Sequence, residues 1–190
     1  LISVSDKNGV AMFAKGLHSL GWEIVSTGGT ARTLRKAECP VREVSDLTGF
    51  PEILDGRVKT LHPGVLAGVL AKETSHHRAT MSEHGLAYFE MVVCNLYPFQ
   101  LTVANPDVTW NEAIEQIDIG GPTMLRAAAK NHDRMIVVVD PVDYNAVFSA
   151  LRGNHHQISG EMRHQLACKV FEHTAAYDVA IAAYMRDHRG

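Results

Sequence analysis

Only three cysteines occur in 190 residues, and Cys39, Cys94 and Cys168 lie 55 and 74 positions apart. That spacing offers neither a disulfide framework nor a CxxC metal knuckle, and it fits a reducing compartment, so a cytoplasmic location is expected. Long hydrophobic runs are missing too. The apolar stretch from Met135 to Val139 is about a quarter of the ~20 residues a bilayer crossing needs, so no membrane association is expected. Nor does one charge dominate: 18 Lys and Arg face 21 Asp and Glu, divided ten against ten up to residue 95 and eight against eleven after it. Neither half has the basic excess that nucleic acid would require. Leu1 stands inside an apolar run with no basic stretch or small-residue cleavage site beside it, so a secretory leader is not expected.

Several catalytic signatures are absent as well. The eleven histidines include no HExxH and no pair four apart, so zinc is not expected and no metal site is assigned. There is no GxSxG, GxxxxGK[ST] or GxGxxG, which removes the anchors for hydrolase, ATPase and dinucleotide readings.

The residues that are present read as alternating strands and helices. Short apolar runs at 1–5, 23–26, 41–44, 91–95 and 135–139 are candidate strands. Helical patterns are expected at 10–20 and 31–37 and after Pro63, Pro122 and Pro141, where proline suits a first helical turn. This alternation predicts a three-layer α/β/α fold on a mostly parallel sheet, with every strand-to-helix loop at one edge, where ligands of such sheets bind. No proline follows Pro141, and Met162, Leu166, Val170, Tyr177, Ile181 and Tyr184 recur at helical steps. The expected organisation is a body at 1–145 and a helical extension at 146–190, with a polar turn at 152–159.

Five segments could carry chemistry. Ser26-Thr27-Gly28-Gly29-Thr30 joins a strand to a helix start, an outline of a phosphate cradle, although a βα turn can also need glycine for its backbone angles alone. Ser5-Asp6-Lys7 follows the neighbouring strand and offers a helix cap and a charge for an anion, or simply a solvated lysine. Gly56-Arg57-Val58-Lys59-Thr60-Leu61-His62-Pro63 gathers Arg, Lys, Thr and His, with no acid nearer than Asp55, as an anion-facing loop or a surface turn. In Cys94-Asn95-Leu96-Tyr97-Pro98-Phe99 a strand ends in an amide and a phenol, though Tyr97 can equally be a packed aromatic and Cys94 a small buried filler. Gln116-Ile117-Asp118-Ile119-Gly120-Gly121-Pro122 puts a carboxylate before a helix that ends at Lys130, where each charge can also serve the helix dipole.

Taken together these segments closely resemble the inosine monophosphate (IMP) cyclohydrolase domain at the N-terminus of bifunctional purine biosynthesis proteins, whose other half is a formyltransferase. The resemblance extends to Leu47-Thr48-Gly49-Phe50-Pro51-Glu52, Arg126-Ala127-Ala128-Ala129-Lys130-Asn131-His132 and His173-Thr174-Ala175-Ala176-Tyr177-Asp178, and it covers nearly the whole chain. It implies a methylglyoxal synthase-like fold, a homodimer and a formyltransferase domain downstream. It also implies dehydrative ring closure of formamidoimidazole carboxamide ribotide to IMP. Ser5, Asp6, Lys7, Thr27, Gly28, Gly29 and Thr30 would hold the ribotide, chiefly its phosphate. Arg57, Val58, Lys59, Thr60, Cys94, Asn95, Asp118 and Ile119 would line the base pocket, and Lys59, Tyr97, Asp118 and Lys130 would be catalytic.

In that reaction the carboxamide nitrogen attacks the formyl carbon and water leaves. The expected roles are proton removal by Asp118, oxyanion support by Lys59 and backbone N–H groups, and protonation of the departing oxygen by Lys130 with Tyr97. The reaction is internal to one molecule, so positioning supplies much of the acceleration and no cofactor is expected. Loss of Lys130 or Asp118 is expected to cost on the order of a hundredfold. Two rival readings are a methylglyoxal synthase-like lyase and a regulatory module that binds a phosphorylated effector without turnover.

Overall fold

A computed structural model describes residues 1–153 and 156–188, the side chain of Asp55 excepted. Five parallel strands, β1 (Ile2–Val4), β2 (Val25–Ser26), β3 (Arg42–Glu43), β4 (Met91–Asn95) and β5 (Ile136–Val138), form one sheet in the order β3-β2-β1-β4-β5. The register sets Ile2 beside both Ser26 and Val93, and Val93 beside Val138. All five lie inside the apolar runs picked out from the sequence. The inner strand β4 is buried at every residue, as expected of a strand covered on both faces.

Ten helices accompany the sheet among the described residues: α1 (Val10–Ser19), α2 (Gly28–Lys36), α3 (Val44–Thr48), α4 (Pro63–Leu70), α5 (Ser75–Glu83), α6 (Phe99–Val103), α7 (Trp110–Glu115), α8 (Gly120–Lys130), α9 (Tyr144–Gly153) and α10 (Gly160–Asp187). α1 packs against α2 and α9, while α8 packs against α4 and α10, which gives the two outer layers. Small residues make the second layer close. Ala127, Ala128 and Ala129 of α8 are buried, and α10 lies against α8, α6 and β5. At 28 residues α10 is about 42 Å long, and its Leu166, Ala167, Val170, Tyr177 and Tyr184 join the same hydrophobic core as the sheet. No described helix is long and apolar enough to cross a membrane.

The boundaries depart from the sequence reading where glycine or proline sits at a helix start. α2 begins at Gly28 rather than near residue 31, and α8 at Gly120 rather than after Pro122. A short 3-10 turn, Pro141–Asp143, precedes α9. Apolar periodicity did not announce α3, α5, α6 or α7, because three of them are a turn or so long and α5 buries only Met81. Of the turn expected at 152–159, residues 154 and 155 lie outside the described residues.

Candidate functional site

The chain leaves β1 towards β2 on one side and β4 towards β5 on the other, so a crevice opens where these two strands end side by side. Asn95, the last residue of β4, stitches the crevice floor. Its Oδ1 accepts from the amides of Ser5 at 2.7 Å and Asp6 at 2.8 Å, and its Nδ2 donates to the Asp6 carbonyl at 3.2 Å. Asp6 Oδ1 in turn accepts from the Asn8 amide at 2.9 Å, which closes the loop into an Asx turn. Over this floor lies a cleft of about 710 Å³, lined among others by Ser5, Lys7, Arg57, Lys59, Thr60, Asn95, Tyr97, Asp118 and Ile119.

The start of α2 lines no part of this cleft but borders it through the two lysines that do. Gly28 has φ of 55°, in the left-handed region that only glycine adopts cheaply, and no side chain caps the helix, so its first N–H groups stay open. A methyl group added to Gly28 would stand 3.7 Å from Lys59 Nζ, and one added to Gly29 would stand 3.8 Å from Lys7 Cε. Two lysines thus border the positive end of one helix dipole. Lys7 Nζ also donates to the carbonyls of Val4 at 2.9 Å and Ser5 at 3.3 Å, and burial, with Arg32 nearby, pulls its ammonium below the ordinary value. Lys59 has no hydrogen-bond or ion-pair partner among the described residues. Arg32, one turn into α2 and 3.7 Å from the same Gly29 position, is a cation the sequence reading passed over.

One wall of the cleft is a bent arm. Ile53 and Val58 pair as an antiparallel bridge, which places Val58 in the hairpin and leaves Arg57 and Lys59 on the cleft side. Arg57 pairs with Glu115 of α7, Nε to Oε1 at 3.0 Å and a second contact from Nη2 to Oε2, and that pairing holds the Glu115 carboxyl below its usual range. Thr60 is only 3% exposed and supports the start of α8, since a methyl group on Gly120 would come within 2.8 Å of its hydroxyl.

The end of the cleft is the turn that carries Asp118. The Asp118 Oδ1 accepts from the Gly121 amide at 2.8 Å, at the dipole-positive end of α8. No side chain fits at Gly121, where a Cβ would meet Asp118 Oδ2 at 2.4 Å and Leu96 Cδ2 at 2.7 Å. The Asp118 amide itself donates to the Tyr177 hydroxyl of α10 at 2.8 Å. Tyr97, 44% exposed, and Ile119, 60% exposed, stand at the mouth.

Several of the expected site residues are spent elsewhere. Thr30 is buried, and its hydroxyl both accepts from the Val4 amide and donates to the Val4 carbonyl, at 3.0 Å each, so it ties α2 to β1. Cys94 is 2% exposed and outside the cleft lining, with its thiol pushed up by burial. Thr27 is buried at the cradle rim, with its hydroxyl 3.4 Å from Glu52 Oε2. Lys130 is exposed at the other end of α8, roughly 15 Å along the helix from Gly120 at 1.5 Å per residue, and it does not line the cleft. The structure therefore brings together Lys59, Tyr97 and Asp118 but not Lys130. Sequence reasoning missed Glu115 and Tyr177, whose partners lie 58 and 59 positions away.

Chemically, the cleft joins an anion cradle of helix N–H groups and lysines to a carboxylate and a phenol at its far side. No group of three or more His, Cys, Asp or Glu that could hold a metal ion occurs among the described residues.

Residues 9–123 match the MGS-like domain family, and residues 128–190 match the AICARFT/IMPCHase bienzyme family. The chain is 56% identical over 191 residues to the bifunctional purine biosynthesis protein PurH of Halalkalibacterium halodurans, covering 100% of this chain and 37% of that protein. It is 52% identical over 191 residues to PurH of Bacillus thuringiensis subsp. konkukian, with the same coverage of 100% and 37%. It thus spans a little over a third of the length of these curated relatives. The crystal structure of ForH superposes with a TM-score of 0.84 at 39% identity, covering 96% of this chain and 95% of ForH.

Proposed function

Because the chain belongs to the MGS-like domain family, and its C-terminal part matches the AICARFT/IMPCHase bienzyme family, we propose that it is an IMP cyclohydrolase domain. It closes the pyrimidine ring of formamidoimidazole carboxamide ribotide and releases water. The observation that carries this reading is the single cleft bordered by Lys7 and the start of α2 on one side and lined by Lys59, Tyr97 and Asp118. A ribotide has the matching layout, a dianionic phosphate at one end and a reacting heterocycle at the other.

In this proposal the open N–H groups of Gly28 and Gly29, with Lys7, hold the phosphate. Asp118 accepts the carboxamide proton as its nitrogen attacks the formyl carbon. Lys59 stabilises the oxyanion that develops on the formyl oxygen, and that oxygen departs as water near Tyr97 at the mouth, carrying the proton Asp118 took from the carboxamide nitrogen and the one the formamido nitrogen gives up as the ring C=N bond forms. Ser5, Arg57, Thr60, Asn95 and Ile119 complete the wall, with Asn95 acting through the loop it stitches. Most of the acceleration comes from holding nucleophile and electrophile of one molecule together, which needs no cofactor. Lys130 enters the chemistry only if a second copy of the chain carries it to the cleft. The homodimer, the cytoplasmic setting and a formyltransferase domain downstream belong to the same proposal, the last supported by the relatives being called bifunctional and by the match to the bienzyme family.

The test is the appearance of IMP from the formyl ribotide, followed by absorbance and chromatography with enzyme-free and chelator controls. Turnover above the free reaction and insensitive to chelator is expected. Binding without turnover would favour a regulatory module, and methylglyoxal release from dihydroxyacetone phosphate would favour the lyase.

A further inference from the structure

We propose that Tyr177 of α10 is a positioning residue for the cleft, its hydroxyl fixing the turn at 116–118 so that the Asp118 carboxylate stays aimed at the ligand. The inference rests on the catalytic role given to Asp118 above. The phenol oxygen accepts from the Asp118 amide at 2.8 Å and donates to the Gln116 carbonyl at 3.4 Å, so one hydroxyl closes both ends of the turn. Burial pushes the Tyr177 phenol above its ordinary value, which keeps the donated proton in place through neutral pH. The ring is held by the core: Phe99, 1% exposed, meets it edge to face at a centroid distance of 6.3 Å. Phe99 begins α6, two residues after Tyr97, and its amide donates to the Tyr97 carbonyl at 2.8 Å. A single side chain of the C-terminal helix therefore braces two cleft segments, one by hydrogen bonds and one by packing.

The carboxylate is held from its other side by the Gly121 amide, and there a side chain is excluded. The Gln116 and Ile117 amides donate back to Ala113 and Ile114, and the Tyr177 hydroxyl holds the two groups those bonds leave, the Asp118 amide and the Gln116 carbonyl. Such a brace acts on the geometry of the base and leaves the phosphate cradle at α2 untouched. Its loss should therefore appear in the rate of the bound complex and not in binding.

Tyr177→Phe keeps the ring against Phe99 and deletes only the hydroxyl. Two readouts apply to the variant of this same chain. Amide hydrogen exchange at Asp118, measured by NMR, should speed up about tenfold or more while Val92 and Val93 in β4 exchange as in the parent. In ring closure of the formyl ribotide, kcat should fall about tenfold with KM within about twofold. An unchanged Asp118 exchange rate, or an equal rise at Val92 and Val93, overturns the proposal, and so does a raised KM at unchanged kcat. If the parent chain closes no ring at all, the proposed function fails by itself, and the exchange comparison alone decides whether Tyr177 holds the turn.

Discussion

At the edge of the sheet where the strands begin, Arg134 commits its guanidinium to four carbonyls, those of Ala71 at 2.8 Å, Phe89 at 2.7 Å, Gly68 at 2.7 Å and Val69 at 3.1 Å. Asn131 adds donations to Val69 at 2.8 Å and Ala71 at 3.1 Å, so the carbonyls at the end of α4 are served by side chains packed beneath α8. At the opposite edge, where the strands end, Lys59 faces the cleft with no hydrogen-bond or ion-pair partner among the described residues, beside a helix start that no side chain caps. Both edges gather cations at helix ends, yet one set has its donors used up and the other keeps them. The destination of the donors, more than residue type or charge, separates a group that holds the fold from one that waits for a ligand.

The sharpest way to break this comparison is to remove the groups on the cleft side. Lys59→Ala and Asp118→Asn should each lower the rate of ring closure a hundredfold or more, about 3 kcal/mol of barrier, with urea midpoints close to the parent. Steady-state kinetics alongside denaturation curves would show it, and loss of stability in step with activity would erase the distinction. Arg134→Met is the mirror experiment. It strands several carbonyls and should cost about 2–3 kcal/mol in urea unfolding, with kcat per folded molecule unchanged.

What the sequence made legible follows the same division. Apolar runs located all five strands, and their alternation with helices placed the loops after β1, β2 and β4 at one edge, which is where the cleft lies. That logic also applies to Lys130, which closes a helix instead of following a strand and so belongs to the opposite edge, as found. Capping chemistry was a usable signal for α7, whose Thr109 and Glu112 form a capping box that apolar periodicity overlooks. Thr30 and Asn95 look like ligand groups in sequence because hydroxyls and amides serve backbone and substrate equally well, and only the fold shows their bonds going to Val4, Ser5 and Asp6. Tyr177 reads as one more core aromatic at helical spacing, since no local pattern reports a partner 59 positions away.

Smaller effects test the margins of the comparison. Glu115→Gln removes the carboxylate opposite Arg57 and makes the cleft more positive, so KM for the ribotide should fall about two- to threefold at low salt and return towards the parent value at high salt. Because Arg57 holds the Glu115 carboxyl below its usual range, the pair persists above that depressed value and is lost only as pH falls through it. The parent should resemble the variant only at acid pH below the ordinary carboxylate range. Lys130→Ala should change turnover less than about threefold at dilutions where the chain is monomeric. A hundredfold loss, appearing only at concentrations where the chain self-associates, would instead mean that the neighbour supplies the lysine.

The pairing of Ile2 with Val93 and of Asp118 with Tyr177 also orders events during synthesis. A ribosome adding about 5–20 residues per second reaches residue 177 roughly 10–35 s after residue 1. For the first half of that interval β1 has no β4 to pair with, and the nascent chain carries an apolar strand with one unpaired edge. The cleft can be complete only after the last long helix is mostly made, so a product truncated before Tyr177 could emerge with its sheet formed and its Asp118 turn unbraced.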